Sequence, residues 1–396
     1  IEAMPTQAVA NLQMPLNFCF VLDHSGSMAG DKLENMKSAA KLAVDQMSPN
    51  DVISMIIFDD RVSVVTTSQT ATDKVALHRQ IDAIQDRGGT AISLGLKKGL
   101  TELHKALEPG RINQMLLLTD GETFGDEADC RQLASQAGSE GIPIMALGLG
   151  EEWNVALLKD IAANSGGESD YIPDGQPDVI RKTFRRQVQS AQGTVVQNAE
   201  LVLRLVPGVM PRAVWRVKPL IDKLTHRALS DRDVQVSLGD LVKGQGQSVL
   251  VELLLPPRQP GNYRVAQAEI LYDVSATGIE GARVRTDVVV GFTNNLALTH
   301  QVNPKVMNTV EKVTAHKLQT RALDEAAVGN IVGATQKLRA AATRLLEIGE
   351  ADLAQTAMEE ADHLEQGGQM SAAGTRKLDY GTRKLSTDEL KDIQGG

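Results

Sequence analysis

Cysteine is scarce: only Cys19 and Cys130 occur in 396 residues, one in an apolar strand-like run and one in an apparent helix. Two such residues cannot build the multi-bridge framework of a small secreted scaffold, so two free thiols are expected. Long apolar runs are also absent. None reaches the roughly 18 residues that a membrane span requires, and positions 1–15 lack a basic stretch followed by an apolar core. Neither a span nor a signal peptide is therefore expected. The chain starts at Ile1 rather than Met, so cytoplasm is the expectation only by default. Aromatic residues make up 3% of the chain, which leaves the interior to Ala, Val, Leu and Ile. An excess of positive charge is missing too. A net charge of −9 offers no clustered cationic face for nucleic acid or an anionic membrane, and favours cations instead.

Several catalytic signatures are missing. There is no Gly-x-x-x-x-Gly-Lys-Ser/Thr or Gly-x-Gly-x-x-Gly string to cradle a phosphate, no His-Glu-x-x-His zinc helix and no Gly-x-Ser-x-Gly nucleophile elbow.

The chain does contain two kinds of rhythm. Across residues 14–191 apolar strand-like runs alternate with amphipathic helical stretches, the pattern of a doubly wound, mostly parallel α/β sheet covered on both faces. Strands are expected at 16–22, 52–58, 62–66, 115–119, 144–149 and near Tyr171. Helices are expected at 73–84, 92–107, 127–140, 155–164 and 177–189. One more begins after an N-cap at Asp31, with Leu33, Met36, Lys37, Ala40, Val44 and Met47 inward and Lys32, Glu34, Lys41 and Asp45 outward.

Residues 192–298 read as β-only, with strands at 199–206, 214–217, 234–238, 249–255, 263–272 and 284–292, and a small β-sandwich is the expectation. In the last of these Val284, Thr286, Val288 and Val290 share the face expected to be buried. Residues 1–13 can supply a further strand of that sandwich. Residues 299–366 become rich in Ala, Leu, Glu and Lys and predict helical hairpins at 307–328, 331–348 and 351–365. The tail, 367–396, repeats Gly-Thr-Arg-Lys-Leu at 374–378 and 381–385, then shows a capping-box pattern at 386–389. It is expected to be ordered only if it docks. The closing Gly395-Gly396 reads as an ordinary terminus.

The first strand ends in Asp23-His24-Ser25-Gly26-Ser27, which puts a carboxylate and two hydroxyls at alternate positions beyond a strand's carboxyl end. Ligands bind at that edge in open α/β sheets. A hard cation such as Mg²⁺ needs about six oxygens, some from water, so these three can supply part of one shell. Two further oxygens can come from Thr90, in Gly88-Gly89-Thr90 before a helix, and from Asp120, in Thr119-Asp120-Gly121 after a strand. All three segments lie at one edge of the same sheet.

Together, Asp-x-Ser-x-Ser, the following Gly-Gly-Thr and the later Thr-Asp-Gly resemble the metal-ion-dependent adhesion site of von Willebrand factor type A domains, in that family's order. The β-rich region and the tail resemble bacterial members named after calcium-activated chloride channel regulators; the name implies no pore. The resemblance implies that Ser25, Ser27 and Thr90 coordinate a metal directly and that Asp23 and Asp120 do so directly or through water. It implies one divalent cation, Mg²⁺ foremost, with Mn²⁺ or Ca²⁺ as alternatives. It also implies coupling between the metal loops and the helix at 177–189. Function then follows from charge: a bound ion with an open position accepts an Asp or Glu carboxylate of a partner protein.

The expectation is a cation-dependent protein-binding scaffold or adaptor, adhesion-like and not an enzyme. A self-assembling structural protein using the same site between copies is the alternative, and a metal-assisted hydrolase is a third reading that lacks a named base. His24 alternates away from the oxygens and reads as a loop side chain. Glu122, Asp126, Glu127 and Asp129 read as first-turn acids favouring a helix dipole, with a second cation site as the sharper alternative. The Ala-rich helices read as packing elements, since the aromatic pattern of a peptide-binding repeat is absent.

Overall fold

A computed structural model describes residues 1–5, 14–108, 110–123, 125–224, 227–228, 233–299 and 301–386. The capping-box pattern beyond Ser386, Gly395-Gly396 and most of the first thirteen residues lie outside that set. The chain divides into two compact units, residues 7–197 with 274–279, and residues 1–6 with 198–273 and 280–396.

The chain opens on a two-residue strand of the second unit, β1 (Glu2–Ala3). The first unit then runs β2 (Leu16–Asp23), α1 (Asp31–Gln46), β3 (Val52–Phe58), β4 (Val62–Thr70), α2 (Lys74–Asp82), α3 (Ile92–Leu103), β5 (Ile112–Thr119), α4 (Glu127–Ser139), β6 (Ile144–Leu149), α5 (Val155–Ser165), β7 (Ser169–Ile172) and α6 (Pro177–Gln192). Its six strands lie in the order β4-β3-β2-β5-β6-β7. All neighbours are parallel except β3 with β4, an antiparallel edge pair. This is the doubly wound, mostly parallel sheet, and β2 stands where the strand order reverses.

Apolar runs form these strands because both faces are covered. On one face Phe18, Phe20 and Leu22 of β2 meet Met36, Ala40 and Val44 of α1 and Phe184 and Val188 of α6, all within one buried cluster. On the other, α3 approaches through two glycines one turn apart. A β-carbon on Gly95 would lie 2.8 Å from Phe58 and Val21, and one on Gly99 2.8 Å from Met115 and Val21. Helix α1 starts one residue earlier than expected: Gly30, at φ 76°, holds the cap position and makes no side-chain cap, while Asp31 sits in the first turn where its charge suits the helix dipole. Asp51 closes the base of the unit by accepting the Leu16 N–H (2.8 Å), the Ser48 N–H (2.7 Å) and the Gln192 amide (3.1 Å).

The second unit contains β8 (Thr194–Leu205, from residue 198 on), β9 (Met210–Lys218), β10 (Asp222–Lys223), β11 (Arg227–Ala228), β12 (Asp233–Val242), β13 (Gln247–Leu254), β14 (Gly261–Val274) and β15 (Ile279–Phe292). They form a four-stranded sheet, β1-β13-β9-β10, and a five-stranded sheet, β11-β12-β8-β14-β15. The expected burial of one face of β15 holds only in its second half. Val288, Val290 and Phe292 are half-buried, whereas Val284 is 55% exposed, because β15 is a sheet edge.

After a short α7 (Leu296–Thr299) come α8 (Pro304–Ala327), α9 (Ile331–Glu347), α10 (Ala351–Gly367) and α11 (Ala372–Arg383). Trp215 and Val217 of β9 share one core with Leu338 and Leu345 of α9 and Leu364 of α10. The tail repeat docks as α11. Its heptad spacing puts both glycines on one side, where a β-carbon on Gly374 would strike Glu360 and one on Gly381 would strike Leu353. Glu360 in turn accepts the Ser371 N–H at 2.6 Å and Ser371 caps α11 through Gly374 N. Among the described residues no helix is long and apolar enough to cross a membrane.

Candidate metal centre

The carboxyl ends of β2 and β5 are neighbours, so Asp23 and Asp120 leave the sheet side by side. Both are fully buried. Asp23 is held through both oxygens: Oδ1 accepts the Ser25 N–H at 2.8 Å and Oδ2 accepts the Thr119 hydroxyl at 2.6 Å. Ser25 Oγ lies 3.0 Å from Ser27 Oγ, and Ser27 Oγ donates to Asp120 Oδ1 at 2.7 Å. Asp23, Ser25, Ser27 and Asp120 therefore form one continuous hydrogen-bonded chain.

Thr90 joins them through Gly121. A β-carbon at Gly121 would lie 3.1 Å from Thr90 Oγ1 and 3.8 Å from Ser27 Oγ, so both hydroxyls crowd the same point beside Asp120. The loop carrying Thr90 is pinned to two segments, His24–Gly26 and Asp59. Gly26 N–H donates to Gly88 O (3.1 Å), and Arg87 N–H donates to His24 O (2.7 Å). Asp59 accepts the Ala91 N–H through its carbonyl at 2.8 Å and the Arg87 guanidinium through its carboxylate at 2.7 Å. Gly88 is required there: at φ 71°, its missing β-carbon would stand 2.5 Å from Asp60 Oδ1 and 2.9 Å from Asp59 Oδ2.

The first N–H groups of α3 complete the arrangement. Ser93 N–H donates to Asp126 Oδ2 at 2.8 Å and Ile92 N–H approaches Thr123 Oγ1 at 3.4 Å, while Thr123 donates to Asp126 at 2.5 Å. Asp126 thus satisfies one orphan donor of a neighbouring helix directly and supports the Thr123 hydroxyl that meets a second. Glu127 accepts the Gly125 N–H. Among the described residues no group of three or more His, Cys, Asp or Glu is placed to hold an ion.

Burial pushes the Asp23 carboxyl up; the Ser25 and Thr119 hydrogen bonds counter it only in part, and the Asp120 charge adds to it. Two side chains depart from their expected places. His24 is a buried strut rather than a loop side chain, with Nδ1 2.7 Å from Gln85 O and Nε2 3.8 Å from Asp59. Lys32, expected to face outward, donates to Asp120 Oδ2 at 2.7 Å and lies 3.8 Å from Asp174. Burial alone would lower its pKa, but the bond to Asp120 and the charges of Asp120 and Asp174 more than offset this and hold it above the usual lysine value. The structure therefore brings all five sequence-derived oxygens to one edge and adds a cation of its own.

The donor set, two carboxylates and three hydroxyls, is all hard oxygen. That chemistry fits Mg²⁺, Mn²⁺ or Ca²⁺ and offers nothing to a thiolate-preferring metal. Two buried carboxylates, of which only Asp120 is paired with an ammonium, leave a net negative charge for such an ion to neutralise.

Residues 17–181 match the family model for the von Willebrand factor type A domain, and residues 304–388 match that of the Sll0103-like, C-terminal alpha-helical domain. Uncharacterized protein sll0103 of Synechocystis sp. is 37% identical over 270 residues, which cover 67% of this chain and 63% of that protein. Human inter-alpha-trypsin inhibitor heavy chain H3 is 29% identical over 196 residues, 46% of this chain and 22% of that protein. The chain thus spans less than two thirds of either relative. Among solved structures, von Willebrand factor type A from Catenulispora acidiphila superposes with a TM-score of 0.77 at 19% identity, over 94% of this chain and 90% of that one. The ArnB paralog VWA2 from Sulfolobus acidocaldarius gives 0.50 at 16% identity, over 95% and 90%. These two likenesses concern the fold alone.

Proposed function

We propose that this chain, which carries a von Willebrand factor type A domain, is a scaffold or adaptor that binds a protein partner through one divalent cation held by Asp23, Ser25, Ser27, Thr90 and Asp120. Such domains are modules of protein–protein interaction and adhesion. The single observation that carries the reading is the hydrogen-bonded chain from Asp23 through Ser25 and Ser27 to Asp120, with Thr90 Oγ1 beside it. When bound, the ion supplies a Lewis-acidic position for an incoming Asp or Glu carboxylate. The three hydroxyls are neutral ligands, so they leave the ion's charge for the visitor. Asp23 and Asp120 anchor it, and Thr119 and the Ser25 N–H fix the Asp23 carboxylate. A binding role is favoured over hydrolysis because the adjacent His24 imidazole is buried and engaged with Gln85 O, out of reach as a base.

The test is calorimetric titration of the full chain with Mg²⁺, Mn²⁺ and Ca²⁺, followed by partner capture in Mg²⁺ and in EDTA. One ion is expected to bind per chain, with capture lost in EDTA and in Asp23→Ala. Undiminished capture in both, or no ion binding by the unaltered chain, refutes the proposal. Sizing in Mg²⁺ separates a distinct partner from a second copy of the chain.

A further inference from the structure

Lysine 32 has no place in the donor set, yet it occupies a built position. Its ammonium takes one oxygen of the fully buried Asp120 at 2.7 Å, while Ser27 takes the other at 2.7 Å. Asp174, in the segment between β7 and α6, stands 3.8 Å away on another side. The third wall is the backbone of Gly150 after β6. That glycine has φ 69°, and a β-carbon on it would lie 3.6 Å from Lys32 Nζ and 3.2 Å from Asp174 Oδ2. Segments following β5, β6 and β7 thus seat one ammonium at the carboxyl edge of the sheet. The side chain is only about a quarter exposed.

We propose that Lys32 is a resident counter-cation of the metal centre, weakening its hold on a divalent ion and strengthening the bound ion's demand for an external carboxylate. This rests on the metal-centre reading above. Asp23 and Asp120 carry two negative charges, and Lys32 returns one positive charge. With a divalent ion, Asp23, Asp120 and Lys32 then carry one net positive charge, against neutrality without Lys32; the more exposed Asp174 offsets part of the charge in both cases. The ammonium repels an ion ligated on the other side of Asp120, and both positive charges attract a visiting acid. Because the lysine engages Oδ2 and the serine Oδ1, it also fixes which oxygen of Asp120 faces the hydroxyls. Lys32 is a positioning residue, not a ligand, since Asp120 stands between it and the other donors.

Two variants of the full chain separate charge from hydrogen bonding. Lys32→Gln keeps a donor for Asp120 and removes the charge, whereas Lys32→Arg keeps the charge. Titration with Mg²⁺ measures the first effect; titration of the Mg²⁺-loaded protein with an N-acetylated aspartyl peptide measures the second. Removal of one unit charge a few ångströms away in a partly buried setting is expected to tighten Mg²⁺ about tenfold in Lys32→Gln and weaken the peptide about tenfold. Lys32→Arg is expected to stay near the unaltered chain in both. Opposed shifts of this kind do not arise from a merely structural loss, which weakens both titrations together. Equal Mg²⁺ affinity in the unaltered chain and Lys32→Gln overturns this inference while leaving the metal centre standing; parallel weakening of both titrations does the same. Absence of Mg²⁺, Mn²⁺ and Ca²⁺ binding in the unaltered chain overturns both.

Discussion

Replacing Gly121 by alanine tests the centre without removing a charge or an oxygen. The backbone there is open to any residue, since Gly121 is not among the positive-φ glycines, so the fold should accept the change. The added methyl would sit 3.1 Å from Thr90 Oγ1, a few tenths of an ångström inside ordinary contact, and 3.8 Å from Ser27 Oγ. Thr90 must therefore retreat by about 0.3 Å, more than the ~0.2 Å tolerance of a ligand set. Mg²⁺ demands near-ideal octahedral bonds of ~2.0–2.1 Å, whereas Ca²⁺ tolerates ~2.3–2.6 Å in looser shells. The expected outcome is about a tenfold loss of Mg²⁺ affinity, ~1.4 kcal/mol, with a smaller loss for Ca²⁺. Thermal unfolding reads this directly. At an Mg²⁺ concentration of 100 times the original Kd, the unaltered protein gains ~2.7 kcal/mol over EDTA and Gly121→Ala gains ~1.4 kcal/mol, while the two melt alike in EDTA. Equal Mg²⁺ stabilisation of both proteins would refute the placement of Thr90 among the ligands, and a loss equal for Mg²⁺ and Ca²⁺ would refute the geometric cause.

Asp51→Ala leaves the buried Leu16 N–H and the N–H of the exposed Ser48 without their acceptor; a loss of about 1–3 kcal/mol is expected by urea unfolding. Burial pushes the Asp240 carboxyl up to about 6 against the counteracting Asn198 N–H. A folded-state pKa above the unfolded value means that its contribution is fully present below about pH 4 and lost as pH rises through 6. Asp240→Asn should therefore match the unaltered chain at pH 4 and exceed it by about 2 kcal/mol at pH 8, with melting curves at both pH values as the check. Leu338→Ala opens a hole in a fully buried position of α9 and should cost about 2–5 kcal/mol in denaturant unfolding. Gly374→Ala drives a methyl into Glu360 and should release α11, read as faster tryptic cleavage after Arg376 and Lys377.

Both the sheet and the five oxygens were legible for local reasons. Strands buried on both faces must be unbroken apolar runs, so 52–58 and 144–149 announce themselves. A loop that is to offer oxygens to a hard ion must alternate short oxygen side chains, and 23–27 shows that pattern. What escaped was set by neighbours far away in sequence. Helical periodicity put Lys32 outward, but in the first turn of α1 that direction points across the strand ends, where Asp120 waits. Strand alternation put His24 outward, yet the chain leaves β2 at Asp23, so the alternation no longer applies and the ring turns toward Gln85. Helix α11 carries two glycines, a cost to helix formation in isolation that docking against Glu360 and Leu353 offsets. Its register is recorded in α10, not in its own residues.

The pairing of β1 with β13 has a kinetic meaning. Glu2 stands opposite Ser248 and Ala3 opposite Gln247, although some 245 positions separate them along the chain. While residues 7–197 are unfolded they form a slack tether of about 190 residues, and closing such a loop costs ~4–5 kcal/mol in chain entropy. A two-residue strand cannot repay that alone. The contact should therefore form after the intervening unit has shortened the tether, and should be among the first lost when that unit melts. Amide exchange at Ala3 and at Val249, whose N–H donates to Ile1 O, would then report the integrity of a sheet to which neither residue belongs.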